Sequence, residues 1–268
     1  MKVLIINLAA ATERLAFQEQ QMVRLNLPYQ VMQAIHTEQI KPQTYQALAH
    51  GWERPLRVTE LACFLSHHNA WQAVQKAQEP MLIIEDDALL AKQTPQLLSA
   101  LATQKDCDLV TLEVRSRKKL LGKQPINWPD FSLWPLYQER TGAAAYVLWP
   151  SGAAILLDKV QNAPPALADA FISSTYKLRS FQVEPAAAIQ LGQCTAYGIK
   201  PELLTDSFID AELKPRPRRE HLSNRLLEQI AYRSRRLYAQ LRLVGRKLSL
   251  LGRSEQREIV LNKGDFNQ

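Results

Sequence analysis

The 268-residue sequence has no uninterrupted apolar run approaching the ~18 residues that a membrane-spanning helix needs. It has no glycine-rich phosphate loop, no internal repeat and no low-complexity tract, which removes glycine-cradled nucleotide sites from consideration. Cysteine is scarce. Cys63, Cys107 and Cys194 are odd in number and lack metal-ligand spacing, so they read as reduced thiols of a cytoplasmic protein. The apolar start, "MKVLIINLAA", runs into Glu13 and Arg14 without a cleavage context. It reads as a first buried strand followed by a helix, again a cytoplasmic expectation.

What is present suits a globular enzyme. Hydrophobic residues make up 46% and charged residues 22%, and the length suffices for a substantial core. The net charge of +7 is unevenly placed. Residues 1–213 hold nineteen Lys and Arg against twenty-one Asp and Glu, whereas residues 214–257 hold thirteen against three. The sequence therefore reads as a near-neutral domain, 1–213, followed by a basic tail, 214–268.

Within the domain, apolar runs and helical periodicity alternate. Strands are expected at 3–8, 29–35, 108–114 and 143–150, with a last one in "FQVEPAAAIQL". Helices are expected at 11–27, 60–78, 94–104 and 151–160, the second capped by Thr59. The segments 36–57 and 115–140 read as irregular or loops. This alternation predicts an α/β fold with a mainly parallel sheet flanked by helices.

The sharpest local feature is "MLIIEDDALL", in which three carboxylates follow a buried strand. Adjacent carboxylates repel one another and cost desolvation, and a bound cation removes that conflict. Residues two apart on a strand share a face, so Glu85 and Asp87 can converge on one ion while Asp86 turns away. Hard oxygens suit Mn²⁺ or Mg²⁺.

"ELACFLSHHNAWQAV" before that strand, "IINLAAATER", "VTLEV", "GAAAYVLWPSGAAILLD" and "LADAFISSTYKLRSFQVEPAAAIQ" are spread over about 190 residues. Together they resemble glycosyltransferase family 25, the bacterial lipooligosaccharide galactosyltransferases and their collagen-modifying relatives. The resemblance implies a GT-A type, Rossmann-like fold and metal-dependent, inverting transfer from a UDP-sugar donor. It implies galactose moved from UDP-galactose onto a lipooligosaccharide (LPS) outer-core sugar, with glucose from UDP-glucose as the alternative. Asp87 and Glu85 become the metal ligands. Asp169 becomes the general base, with a helix N-cap as its structural alternative and Glu113 as the competing base. Asn7, Arg14, Ser66, His67, Asp86 and Gln190 become candidates for the donor site. Ser66 and His67 could equally be scaffolding, and Asp86 could stabilise the turn. A metal-dependent phosphotransferase or nucleotidyltransferase also places aspartates at strand ends, but lacks the Ser-His helix before them.

In the tail, Leu222, Leu226, Ile230, Leu237, Leu241, Val244, Leu248 and Leu251 recur at helical spacing within about a 100° stripe. Arg225, Arg235, Arg236, Arg242, Arg246, Lys247 and Arg253 avoid it, and Arg233 falls inside it. This is the pattern of a basic amphipathic helix on an anionic membrane surface, here the inner face of the inner membrane. The alternative is a stripe packed on the protein's own domain. A nucleic-acid partner would use the arginines but leaves "EDD" unexplained.

Overall fold

The computed structural model describes residues 1–139, 142–201, 203 and 222–266. The chain enters on β1 (Lys2–Asn7), whose residues Val3 to Ile6 are buried. A strand covered on both faces calls for such a continuous apolar run. Its alternate side chains serve different layers. Val3 and Ile5 pack with Phe17 and Met22, while Leu4 and Ile6 pack with Phe64 and Trp71. Phe17 and Met22 lie on α1 (Thr12–Arg24), which leads to β2 (Tyr29–Gln33), parallel to β1.

The irregular stretch 36–57 contains a 3₁₀ turn at Thr37–Gln39 and one short α-helix, α2 (Pro42–Leu48), with proline in its first turn, where it costs no hydrogen bond. Phe64 and Trp71 belong to α3 (Val58–Ala77), which is capped at Arg57 rather than Thr59. The Glu60 carboxylate reaches back to accept the Arg57 N–H at 2.8 Å. A side chain inside the helix therefore does the capping. β3 (Met81–Glu85) then runs parallel to β1 on its other side.

The chain continues through β4 (Ala88–Leu90), α4 (Thr94–Leu101), β5 (Leu109–Thr111), β6 (Lys119–Gly122), β7 (Ile126–Asn127), β8 (Ser132–Gln138) and β9 (Ala145–Leu148). After α5 (Pro150–Asn162) and α6 (Ala168–Ser173) come β10 (Ser180–Glu184), β11 (Ala188–Gln190), α7 (Leu222–Ser249) and β12 (Ser254–Arg257). The main sheet has the order β12-β6-β8-β10-β5-β9-β3-β1-β2, with β7 beside β8. In its centre, β10, β5, β3, β1 and β2 point one way and only β9 runs against them. The protein is therefore α/β and Rossmann-like, with helices on both sheet faces.

Two expectations are corrected at the far edge. Residues 115–140 are not only loops, because β6 and β8 extend the sheet antiparallel beyond β10. Strand character there depends on partners distant in sequence, and local propensity carries little of it. The residues after α7 are not a tail. β12 pairs with β6, Arg257 grips Glu184 through two 2.6 Å contacts, and Ile259 and Phe266 are buried in the core. The boundary expected at residues 213 and 214 lies outside the described residues.

The basic amphipathic helix is α7, and its apolar stripe faces solvent. Leu226, Ile230, Leu237, Leu241, Val244, Leu248 and Leu251 are 52–72% exposed. Part of the basic face turns onto the domain instead. Arg246 donates to the Tyr137 carbonyl at 2.7 Å, and Arg235 donates to the carbonyls of His50 and Trp52. The side chains of Leu222 and Arg225 lie outside the described residues. Among those described, no helix is long and apolar enough to cross a membrane.

Candidate active site

The three carboxylates at the end of β3 take three different surroundings. Asp86 is buried and turns toward the end of β1 and the start of α1, where Asn7 Nδ2 donates to it at 3.0 Å and Arg14 Nη1 at 3.1 Å. Burial raises its pKa, against the pull of Arg14. The backbone beside it is held as well. Gln18 donates to the carbonyls of Asp86 and Ala88, and Gln21 bonds both Ala88 and Leu90. Asn7, Arg14 and Asp86, expected as separate donor contacts, thus form one network that shapes the turn. Arg14 and Asp86 still line a cavity of about 330 Å³, while Asn7 lies buried beneath it.

Glu85 also lines that cavity. His67 Nε2 lies 3.1 Å from its Oε1, and Gln190 Nε2 donates to its Oε2 at 3.3 Å. Burial works to raise the Glu85 pKa, but these donors outweigh it and leave the carboxyl below its ordinary value. Behind His67 stands Tyr146, whose hydroxyl is 2.9 Å from Nδ1 and 2.9 Å from Trp71 Nε1. The indole can only donate, so the tyrosine oxygen accepts from it. An ionised Glu85 requires a donor at Nε2, so in the uncharged ring that atom carries the proton and Nδ1 accepts from Tyr146. Ser66 takes a scaffolding position. It donates to Ala62 and accepts the Ile35 N–H, each at 2.8 Å, tying α3 to the chain after β2.

Asp87 differs from both neighbours. Its Oδ1 is buried with no hydrogen-bond partner among the described residues, and its pKa is raised to about 7 by burial and by the charges of Glu85 and Asp86. An orphaned carboxylate oxygen beside a second, ionised carboxylate fits a divalent cation. Cys63, His67 and Glu85 also bring ligand atoms within 4.8 Å of one another. Burial holds the Cys63 thiol well above its ordinary pKa, which disfavours the thiolate that metal binding needs. The oxygen pair suits Mn²⁺ or Mg²⁺ better.

The two candidate bases are not equivalent. Asp169 lies in the first turn of α6, not at its cap, which is Leu167, although it accepts the Ala170 N–H at 2.6 Å. It lines a second cavity of about 620 Å³, and burial followed by the charge of Glu85 raises its pKa. Glu113 is only 1% exposed and accepts the Ala144 N–H at 3.2 Å. Burial, reinforced by Glu139, pushes it up to about 8, so it holds its proton at neutral pH. Gly142 makes that position possible. Its φ is +113°, and a Cβ there would fall onto the Glu113 carboxylate.

Sequence reasoning passed over Gln18, Gln21 and Tyr146 as functional residues. Two glutamines three apart on an otherwise apolar helix face were the only local sign of the first pair. Tyr146 stood inside the quoted "GAAAY" segment without an assigned role.

Comparison with known proteins agrees with this picture. Residues 1–172 match glycosyltransferase family 25 (LPS biosynthesis protein). The lacto-N-neotetraose biosynthesis glycosyltransferase LgtE of Neisseria gonorrhoeae is 28% identical over 171 residues, covering 60% of this chain and 61% of that protein. LgtB of Neisseria meningitidis serogroup B, with the same description, is 28% identical over 171 residues, with 60% and 62% covered. The chain thus spans about three fifths of the length of the curated relatives it matches. Among solved structures, the inositol-1-phosphate CTP transferase of T. maritima has a TM-score of 0.36 at 12% identity, with 70% of this chain and 69% of that one covered. The mannose-1-phosphate geranyltransferase of Thermus thermophilus has 0.37 at 10%, with 75% and 80% covered. With the family match extending from β1 through most of α6 and over the whole acidic site except Gln190, the chain belongs to glycosyltransferase family 25.

Proposed function

We propose that the protein transfers galactose from UDP-galactose, with inversion, onto an outer-core sugar of lipooligosaccharide. One observation carries this reading. Asp87, with its orphaned oxygen, and Glu85 share a cavity, and Asp169 lies near enough to feel the Glu85 charge from a second cavity. The family's LPS-biosynthesis description, and relatives named for lacto-N-neotetraose biosynthesis, support a saccharide acceptor.

Asp87 and Glu85 would hold Mn²⁺ or Mg²⁺, and the ion would offset the negative charge that grows on the departing diphosphate. His67 and Gln190 orient Glu85 for that task. Asp169 takes the proton of the acceptor hydroxyl as its oxygen bonds to the anomeric carbon. UDP leaves from the opposite face with the electron pair of the broken C–O bond. A single displacement of this kind inverts the anomeric centre and needs no covalent enzyme intermediate. Glu113 suits the role of base less well, because it is buried against the backbone of residues 142–144 and lines neither cavity.

The same reading has the protein work at the inner face of the inner membrane. The solvent-facing leucines of α7 support this, since a continuous apolar stripe on a charged helix suits the lipid headgroup boundary. Incubation with a panel of UDP-sugars and Mn²⁺, without acceptor, tests the chemistry. UDP-galactose should release free UDP with no phosphate or pyrophosphate. Pyrophosphate release, or no turnover of any UDP-sugar, would sink it.

A further inference from the structure

The 620 Å³ cavity between α7 and the α5–α6 corner is crowded with positive charge. Arg117, Lys159, Arg235, Arg236 and Arg242 line it, against the carboxylates of Glu53, Glu139 and Asp169. Glu139 is already engaged by Lys119, and Asp169 is the proposed base. Lys159 donates to the Phe171 carbonyl, Ser174 Oγ and Thr175 Oγ1 at 2.7, 2.8 and 2.9 Å. Both hydroxyls pass their own protons to carbonyls of α6, so Lys159 serves them as the charged ammonium. Its charge meets no carboxylate among the described residues. Burial and, behind it, the neighbouring Arg242 charge lower its pKa to about 7.

Arg242 shows where compensation can enter. Its guanidinium lies over the ring of Tyr176 at 4.8 Å and near that of Tyr238 at 5.9 Å. A guanidinium held against aromatic rings by cation–π attraction keeps its N–H edge for a planar or tetrahedral anion. Among the described residues no hydrogen-bond acceptor or carboxylate meets that edge. Trp52 adds an aromatic wall of the kind a sugar ring packs on.

We propose that this cavity is the acceptor site and that it selects a saccharide bearing an anionic group, a carboxylate or a phosphate, bound by Arg242. The proposal rests on the glycosyltransferase reading above and names its acceptor class. Calorimetry on the intact protein tests it with lactose, glucuronosyl-lactose and lactose phosphate. The charged saccharides should bind at least about tenfold tighter than lactose, the size one charge-assisted hydrogen bond supplies. The preference should shrink with added salt, disappear in Arg242→Gln at unchanged melting temperature, and partly return in Arg242→Lys. Whichever charged ligand binds tighter identifies the anion. Equal affinity for all three, or a preference that survives Arg242→Gln, overturns the proposal. Failure of the wild-type protein to release UDP would instead overturn the underlying reading, because the binding preference is measured without turnover.

Discussion

His67 Nε2 stands 3.1 Å from Glu85 Oε1, and the ring is held there from behind by Tyr146 and Trp71. The relay runs from a buried indole to a carboxylate on the cavity wall, and every link lies within hydrogen-bond distance. Tyr146→Phe removes the middle link and leaves the Trp71 N–H buried without an acceptor. A loss of about 1–3 kcal/mol in urea unfolding is expected. A weakening of metal-supported UDP-sugar binding by about 10–100-fold should accompany it, the usual effect of removing an outer partner of a ligand. Loss of stability with unchanged donor affinity would make the relay purely structural.

Asp87→Asn should abolish metal-dependent donor binding while leaving the fold intact, because the amide cannot supply the charge. Titrating UDP-galactose with and without Mn²⁺ by calorimetry measures this. In the wild-type protein the Asp87 pKa of about 7 means that a proton and the cation compete for the same carboxylate. Mn²⁺ affinity should therefore rise as pH climbs from about 6 toward 8. A pH-independent affinity, or a variant that still binds donor in a Mn²⁺-dependent way, would remove Asp87 from the ligand set.

Asp169→Asn should lose about 10²–10⁴-fold in transfer rate while still binding donor, as expected for a missing general base. Glu113→Gln should act on stability instead. In the folded protein Glu113 titrates at about 8, against an ordinary value of 4.5. Between those pH values the folded form holds a proton that the unfolded form has lost, so stability falls as pH rises across that window. The melting temperature of the glutamine variant should decline less steeply from about pH 5 to 8 than that of the wild type. If the rate loss follows Glu113 rather than Asp169, the two roles are exchanged.

Gly142→Ala should destabilise the protein by several kcal/mol, since it combines a left-handed backbone with overlap onto the Glu113 carboxylate. Adding Glu113→Ala should relieve the overlap but not the backbone strain. A double variant no more stable than the single one would show that strain alone is responsible.

Co-sedimentation with vesicles tests the α7 stripe. The intact protein should pellet with anionic vesicles, less so as salt rises, because surface charge is screened over about 8 Å at physiological ionic strength. Leu237→Glu, Leu241→Glu and Leu248→Glu together should abolish pelleting without lowering the melting temperature, since all three side chains already face solvent. Equal pelleting by the triple variant would mean that the stripe does not meet lipid.

The alternation of strands and helices, the acidic end of β3 and the amphipathic α7 were all legible in the chain before folding. They are written in local periodicity and in adjacent residues, where steric and solvation preferences act over a few positions. The partners of the acidic residues come from the assembled sheet. Asp86 meets Asn7 and Arg14 across 79 and 72 positions, and His67 meets Tyr146 across 79. Contacts of that range depend on sheet order and leave no periodic trace in a single sequence. The same holds for β6, β8 and β12, whose strand character comes from pairing, and for α7. Its amphipathic pattern was legible, but which face it turns to the domain depended on acceptors at Tyr137, His50 and Trp52 that only folding brings beside it.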